Sequence, residues 1–246
     1  MNTATAENKI MYTVNAQNFS KIPGSPIAYW VSNDTLAVYC NPSLSKYIVC
    51  KSGIMTGSED FIRLWFESSI YNIKFDCQSH LDMGDYTWFP LNSGGEFRKW
   101  YGNNSKIINL WHNGATIKAT IKNYRLRDER YYFKEGITWG RITSSQIAFR
   151  EVVAGSLFGD AGPIGFISNK RKYVLAFLCS KVVKSLTQVT NPTLNFQVHD
   201  IMNLPLCLSD DYEKDIENLA QLNINISKSD WDSFETSWDF KKHPLI

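Results

Sequence analysis

The chain has 246 residues and a mass of 28.2 kDa, enough for a domain with its own hydrophobic core. Hydrophobic residues make up 43% and charged residues 20%, an ordinary balance for a globular protein, and no apolar run reaches the roughly eighteen residues that would span a membrane. The net charge of +2 hides an asymmetry: residues 96–150 carry eleven Lys/Arg against four Asp/Glu, and residues 205–246 carry nine Asp/Glu against four Lys/Arg.

In chain order, Ser25-Pro26 predicts a helix through about Val38, because Ser caps well and Pro suits the first helical position. Lys46 to Lys51 reads as a strand, followed by the loop Gly53 to Gly57. Ser58-Glu59-Asp60 then caps a short helix bearing Phe61, Leu64 and Trp65. Thr87 to Leu91 and Ile107 to Trp111 read as strands, the first ending in the turn Asn92-Ser93-Gly94-Gly95 and the second at Asn113-Gly114. A meander of three strands is expected around Tyr132, over Ile137 to Thr143 and over Ile147 to Val153. Lys170 to Val189 reads as one long buried helix, stopped by Asn191-Pro192. A short strand at Asn195 to Val198 precedes two polar helices, Asp210 to Leu222 and Ser229 to Phe240. The expected class is α+β: a mixed, mostly antiparallel sheet packed with the long helix, plus a helical C-terminal appendage. The divisions are a leader at 1–11, a main domain at 12–205 and a helical tail at 206–246.

Chemistry is sparse. The five cysteines are scattered and form no C-x-x-C pair, which points to reduced thiols and a cytoplasmic setting. The polar start, Met1 to Lys9, lacks the apolar core of a signal peptide. The four histidines show no metal-ligand spacing, and His199-Asp200 has no nucleophile motif beside it. An adenine methyltransferase needs an Asn/Asp-Pro-Pro-aromatic motif to hold the flipped base. Asn41-Pro42-Ser43-Leu44 and Asn191-Pro192-Thr193-Leu194 lack the second proline and the aromatic ring. Phe158-Gly159-Asp160-Ala161-Gly162 superficially matches a methyl-donor loop but has no helix directly after it.

The run Trp88-Phe89-Pro90-Leu91-Asn92-Ser93-Gly94-Gly95-Glu96-Phe97-Arg98-Lys99-Trp100-Tyr101-Gly102-Asn103 closely resembles a segment of the large adenine-specific methyltransferases of BREX phage-defence systems, the PglX proteins. Agreement continues in the same order at Phe19 to Trp30, at Thr56-Gly57 with Phe61 to Trp65, and at Lys134 to Trp139. It extends through Phe177 to Lys181, Asn191 to Val198 and Asp230 to Phe240, so it covers roughly Tyr12 to Ile246. The resemblance implies the DNA target-recognition domain and the start of the C-terminal helical part, without the catalytic domain. No cofactor is expected in this chain, S-adenosylmethionine belonging to the parent family. Double-stranded DNA and the methyltransferase catalytic domain, in cis or in trans, are the implied partners, with other BREX proteins beside them and no membrane.

The candidate DNA contacts are Thr56, Arg98, Lys99, Arg141, Ser144, Ser145 and Gln146. Arg98 and Lys99 join a Gly-rich turn to the aromatic pair Trp100-Tyr101, placing cations, amides and stacking surfaces together. The same string also fits a tight turn with buried aromatics and solvated cations. Thr56 lies in a loop whose glycines would permit close approach to a phosphate. Arg141 to Gln146 forms a strand-turn-strand tip combining Arg, Ser and Gln, side chains that suit guanine, either purine, and adenine edges respectively. It fits an ordinary Ser-rich turn equally. The alternative is an interaction fragment that docks on other defence or methyltransferase proteins without gripping DNA.

Overall fold

Two runs of β-branched and aromatic residues, one around Phe89 and one around Ile137, seed separate sheets. The computed structural model describes residues 13–143 and 146–246; the expected leader and Ser144-Ser145 lie outside them. The strands in chain order are β1 (Val49–Lys51), β2 (Ile62–Leu64), β3 (Trp88–Asn92), β4 (Lys106–Asn109), β5 (Gly136–Trp139), β6 (Phe149–Val152), β7 (Leu157–Phe158) and β8 (Ile164–Phe166). They form two four-stranded sheets, ordered β1-β8-β5-β6 and β2-β4-β3-β7. All pairings are antiparallel except β3 with β7. The α+β, mostly antiparallel class therefore holds, with two sheets where one was expected. In the meander, Trp139 pairs with Phe149 as β5 and β6, but the third partner is β8 and not the Tyr132 segment.

The helices are α1 (Asn33–Val38), α2 (Trp111–Thr120), α3 (Arg171–Leu178), α4 (Lys181–Thr190), α5 (Val198–Met202) and α6 (Glu213–Trp231). Several depart from the sequence reading. Ser25 takes a left-handed φ of 48°, so it cannot cap a helix at Pro26, and the chain waits for Ser32, whose Oγ accepts from Thr35 N. The expected long helix over 170–189 breaks at Ser180. That residue is extended and caps α4 afresh through Val183 N at 3.3 Å. Asn113-Gly114 does not close a hairpin: with His112 it forms a left-handed run that turns the chain into α2. The expected strand at 195–198 is one bridge, Ile142 to Asn195, followed by α5. Of the two expected tail helices, the first runs on to Trp231 as α6, and residues 232–240, expected within the second, form turns instead.

Each sheet has its own core. Trp139, Phe149 and Ile137 pack with Val174, Leu178, Val183 and Leu186 from α3 and α4, while Phe89, Leu91 and Ile108 pack with Ile117, Tyr132 and Phe133. Burying each such aliphatic or aromatic side chain contributes about 1.5–3 kcal/mol. The sheets are joined by side chains at their ends. Asn92 Nδ2 donates to Thr138 Oγ1 at 2.5 Å, and Thr138 Oγ1 donates to Pro163 O at 2.9 Å. Arg150, 1% exposed, donates to Gly94 O at 2.8 Å. In the tail, Ala220 and Ile224 of α6 are buried, Ile224 within the first core.

Candidate nucleic-acid interface

Five segments are stitched edge to edge by main-chain bonds. Met55 and Arg125 exchange amide-to-carbonyl bonds at 2.9 and 2.8 Å. Ile54 N donates to Phe158 O at 2.7 Å, and Asp160 N returns a bond to Ile54 O at 2.9 Å. Arg141 N reaches Ala161 O at 3.0 Å, Thr143 N reaches Leu194 O at 2.9 Å, and Phe196 N reaches Arg141 O at 2.7 Å. The result is one continuous rim running from Arg125 through the 53–57 and 158–162 loops to the 141–146 turn and the segment after α4.

Asp160 is the electrostatic centre of that rim. Its carboxylate pairs with Arg141 Nη1 and lies 3.5 Å from Arg127 Nη2, while Arg127 Nε donates to Gly53 O at 2.7 Å. Two guanidiniums share one carboxylate, leaving net positive charge, and each group is 24–30% exposed. Lys118, Lys122 and Arg125, the last on the rim and the others shortly before it in the chain, are exposed; no ion pair involves them among the described residues.

Downstream, two open clefts share Gln146 in their walls. One, of about 430 Å³, is lined by Glu96, Phe97, Ile142, Thr143 and Arg150. The other, of about 480 Å³, lies between Gln146 and α4. Arg150 has no carboxylate partner among the described residues; burial above all pulls its pKa down to about 10, so it stays charged at neutral pH. Its Nε, and likewise Arg141 Nε and Thr143 Oγ1, is buried without a partner among the described residues. Unmatched donors of this kind favour an acceptor-rich occupant.

No protein-family model matches the chain. Among curated proteins, it is 36% identical over 247 residues to the adenine-specific methyltransferase PglX of Lacticaseibacillus casei (strain Zhang), a match covering 96% of this chain and 20% of that protein. It is 38% identical over 236 residues to the adenine-specific methyltransferase BrxX of Escherichia coli O9:H4 (strain HS), covering 93% of this chain and 18% of that protein. The chain belongs to this adenine-specific methyltransferase family, as one segment of it. It spans about a fifth of the length of the curated relatives it matches.

In this methyltransferase segment, the residues singled out from sequence fall into three groups. Gln146 lines both clefts, and Arg141 lies on the rim, paired with Asp160; Ser144 and Ser145 lie outside the described residues. Thr56 is on the same rim but only 6% exposed, and its hydroxyl donates to Ser58 O at 2.6 Å. The bare faces of Gly53 and Gly57 are filled by main chain: a Cβ would come within 2.3 Å of Phe158 O at the first and 2.6 Å of Asn123 O at the second. Those glycines serve loop-to-loop packing. Arg98 and Lys99 lie elsewhere. Arg98 pairs with Asp230 of α6 and donates to Tyr101 O at 3.1 Å, and Lys99 Nζ donates to Cys179 O at 2.7 Å.

Other motifs resolve into structure. Asn191 Nδ2 donates to Asn195 O and Asp200 Oδ2 at 2.8 and 2.9 Å, and its Oδ1 accepts from Thr193. Asp200 caps α5 by accepting from Gln197 N at 2.8 Å, which accounts for the His199-Asp200 pair. Phe158 to Gly162 is a rim loop, and its Asp160 was missed as a site residue. A lone Asp between glycines was the available signal. Among the described residues, no group of three or more His, Cys, Asp or Glu is placed to hold a metal, and no helix is long and apolar enough to cross a membrane.

Proposed function

We propose that this chain is the DNA target-recognition portion of a BREX-type adenine-specific methyltransferase. The observation that carries this reading is the rim: exposed Arg125 at one end, with Lys118 and Lys122 shortly before it in the chain and no ion pair on any of the three among the described residues, and at the other end Arg141 and Gln146, the latter in the walls of two clefts. Cations on a rim meet phosphates, and amides and guanidiniums on a turn meet base edges. Within this reading Arg141, Ser144, Ser145 and Gln146 reach the bases, Thr56 shapes the neighbouring loop, Arg98 holds the tail against the body, and Lys99 closes the end of α3. Methyl transfer from S-adenosylmethionine is assigned to the remaining length of the relatives. The test is to graft residues 13–246 in place of the matching segment of a full-length relative and sequence the methylated sites. The graft is expected to impose a new motif; retention of the host motif overturns the reading.

A second surface supports docking on the rest of such an enzyme, or on another defence protein. On α6, Tyr212, Leu219 and Ile226 recur every seventh residue, and with Leu222 they are 54–63% exposed. An apolar stripe of that length is more than a solvated helix needs. If the isolated chain fails to bind duplex DNA at low salt while binding a separately expressed catalytic portion, the interaction reading replaces the DNA-reading one.

A further inference from the structure

The cleft on the far side of the recognition turn has α4 as its second wall. Val183, Leu186, Thr187 and Val189 of this helix are buried, which leaves Lys181, Lys184, Ser185 and Gln188 on the opposite, exposed face. Lys184 and Gln188 line the cleft opposite Gln146.

Most polar groups in the cleft are already engaged. Asn191 is held by Asn195, Asp200 and Thr193, and the Thr187 hydroxyl donates to Val183 O at 2.9 Å. Thr193 Oγ1 is bound to Asn191 and Asn195. The side chains of Gln146, Lys184 and Gln188 are what remain, with no partner among the described residues. No carboxylate lines the cleft, so the lysine's charge is uncompensated there. This composition selects its occupant. A carboxamide offers one donor and one acceptor side by side, which matches the N6/N7 edge of adenine, and an ammonium offers donors alone, which match phosphate oxygens. Two carboxamides facing each other beside one ammonium fit a ligand that carries both base edges and phosphates.

We propose that α4 is the second wall of the DNA-reading surface, with Gln188 on a base edge opposite Gln146 and Lys184 on a backbone phosphate. The proposal rests on the target-recognition reading above and extends it to a helix that lies outside the recognition turn.

The test uses the full-length graft, with Gln188→Ala, Lys184→Ala and, as a control on the exposed face of α6, Lys214→Ala. All three positions are solvent-facing, and unchanged melting temperatures verify folding. Gln188→Ala is expected to relax one position of the methylated motif by about ten-fold or more, corresponding to loss of one bidentate contact. Lys184→Ala is expected to keep the motif, weaken binding equally at every site and reduce the salt slope by about one. Lys214→Ala changes neither. If the wild-type graft imposes its motif while Gln188→Ala and Lys184→Ala leave motif, affinity and salt slope intact, the proposal is overturned and the recognition reading stands. If the wild-type graft imposes no motif, the recognition reading fails first and takes this proposal with it.

Discussion

The Arg98 guanidinium lies over the Trp231 ring, 5.2 Å from its centroid, and the same group pairs with Asp230 one residue earlier on α6. Next to it, Ser227 Oγ donates to Lys99 O at 2.9 Å, and Lys228 Nζ lies 4.9 Å from the centre of the Tyr101 ring. The Trp88 to Asn103 string that marks the family is thus, in its second half, the seat of the tail helix. Arg98→Ala removes a cation–π contact and a charge-assisted bond from a side chain only 25% exposed. It is expected to destabilise the protein by about 1–3 kcal/mol, roughly 2–4 °C in melting temperature for each kcal/mol. Hydrogen exchange should localise the loss to α6. An unchanged melt and unchanged exchange there would show that the helix is held without Arg98.

The local parts of this arrangement were legible in the sequence. The Ser58 cap is present, its Oγ accepting from Asp60 N, but the helix expected to carry Phe61, Leu64 and Trp65 is a single turn ending at Phe61, and Ile62–Leu64 is β2; the strand at Thr87 to Leu91 is β3, displaced by one residue. Capping reports on neighbours within a few residues, and there the reading holds. It failed where one dipeptide serves two geometries. Asn113-Gly114 favours positive φ in a hairpin and equally in the left-handed approach to α2. It also failed wherever a residue's role depends on a distant partner. Nothing local to Arg98 indicates Asp230, 132 positions later, and nothing local to Gln146 indicates a cleft shared with Lys184 and Gln188. A string of cations reads alike whether it faces phosphate or clamps a helix. Only the partners separate the two: Arg98 is held by Asp230 and Lys99 by Cys179 O, whereas Lys118, Lys122 and Arg125 have no ion pair among the described residues.

That separation yields a prediction about salt. Lys118, Lys122 and Arg125 carry unneutralised charge, so each that touches a phosphate contributes about 0.9 to the slope of log affinity against log salt concentration. Replacing all three with Ala is expected to flatten the slope by two to three units, with thermal stability within about 0.5 kcal/mol of the wild type. Titrations of a fluorescent duplex at several salt concentrations measure both affinity and slope. A triple variant that binds with the wild-type slope places the DNA on another face.

Asp128 gives a pH-dependent signature at the same edge of the molecule. Arg130 donates to its carboxylate through Nε and Nη2 at 2.6–3.0 Å, and Arg130 N adds a further bond at 3.0 Å. The Arg130 side chain first, then the backbone amide, lower the Asp128 pKa to about 2. A depressed carboxylate stabilises the fold above its ordinary pKa, and that contribution disappears as pH falls from about 4 through about 2. Carboxyl NMR is expected to place the Asp128 midpoint near 2, and Arg130→Ala should raise it toward the ordinary value of about 3.9. A midpoint unmoved by Arg130→Ala would assign the depression to the backbone amide alone.

Asp160 provides the sharpest test of the rim, because removing it acts in the direction opposite to removing a cation. Its carboxylate holds Arg141 and Arg127, and it is the one acid among the rim residues bound to either guanidinium. Asp160→Asn keeps the size of the side chain and an acceptor oxygen while deleting the negative charge. Arg127 keeps its bond to Gly53 O, so the 53–57 loop retains an anchor. Breaking a partly exposed pair should cost about 1 kcal/mol or more of stability, screened by the solvent that reaches both arginines. Two guanidiniums then lose their shared counter-charge beside the recognition turn. If the rim faces DNA, Asp160→Asn should tighten binding to every duplex at low salt and steepen the salt slope by up to one unit. Arg141→Ala, in contrast, should relax the motif at one position, since a lost base contact is worth about 1–3 kcal/mol of discrimination. A general electrostatic contribution and a base contact are thereby separated on two neighbouring side chains. Should Asp160→Asn lower the melting temperature yet leave affinity and slope unchanged, the Asp160 cluster is an internal clasp, and the DNA-facing part of the rim shrinks to the turn and the cations upstream.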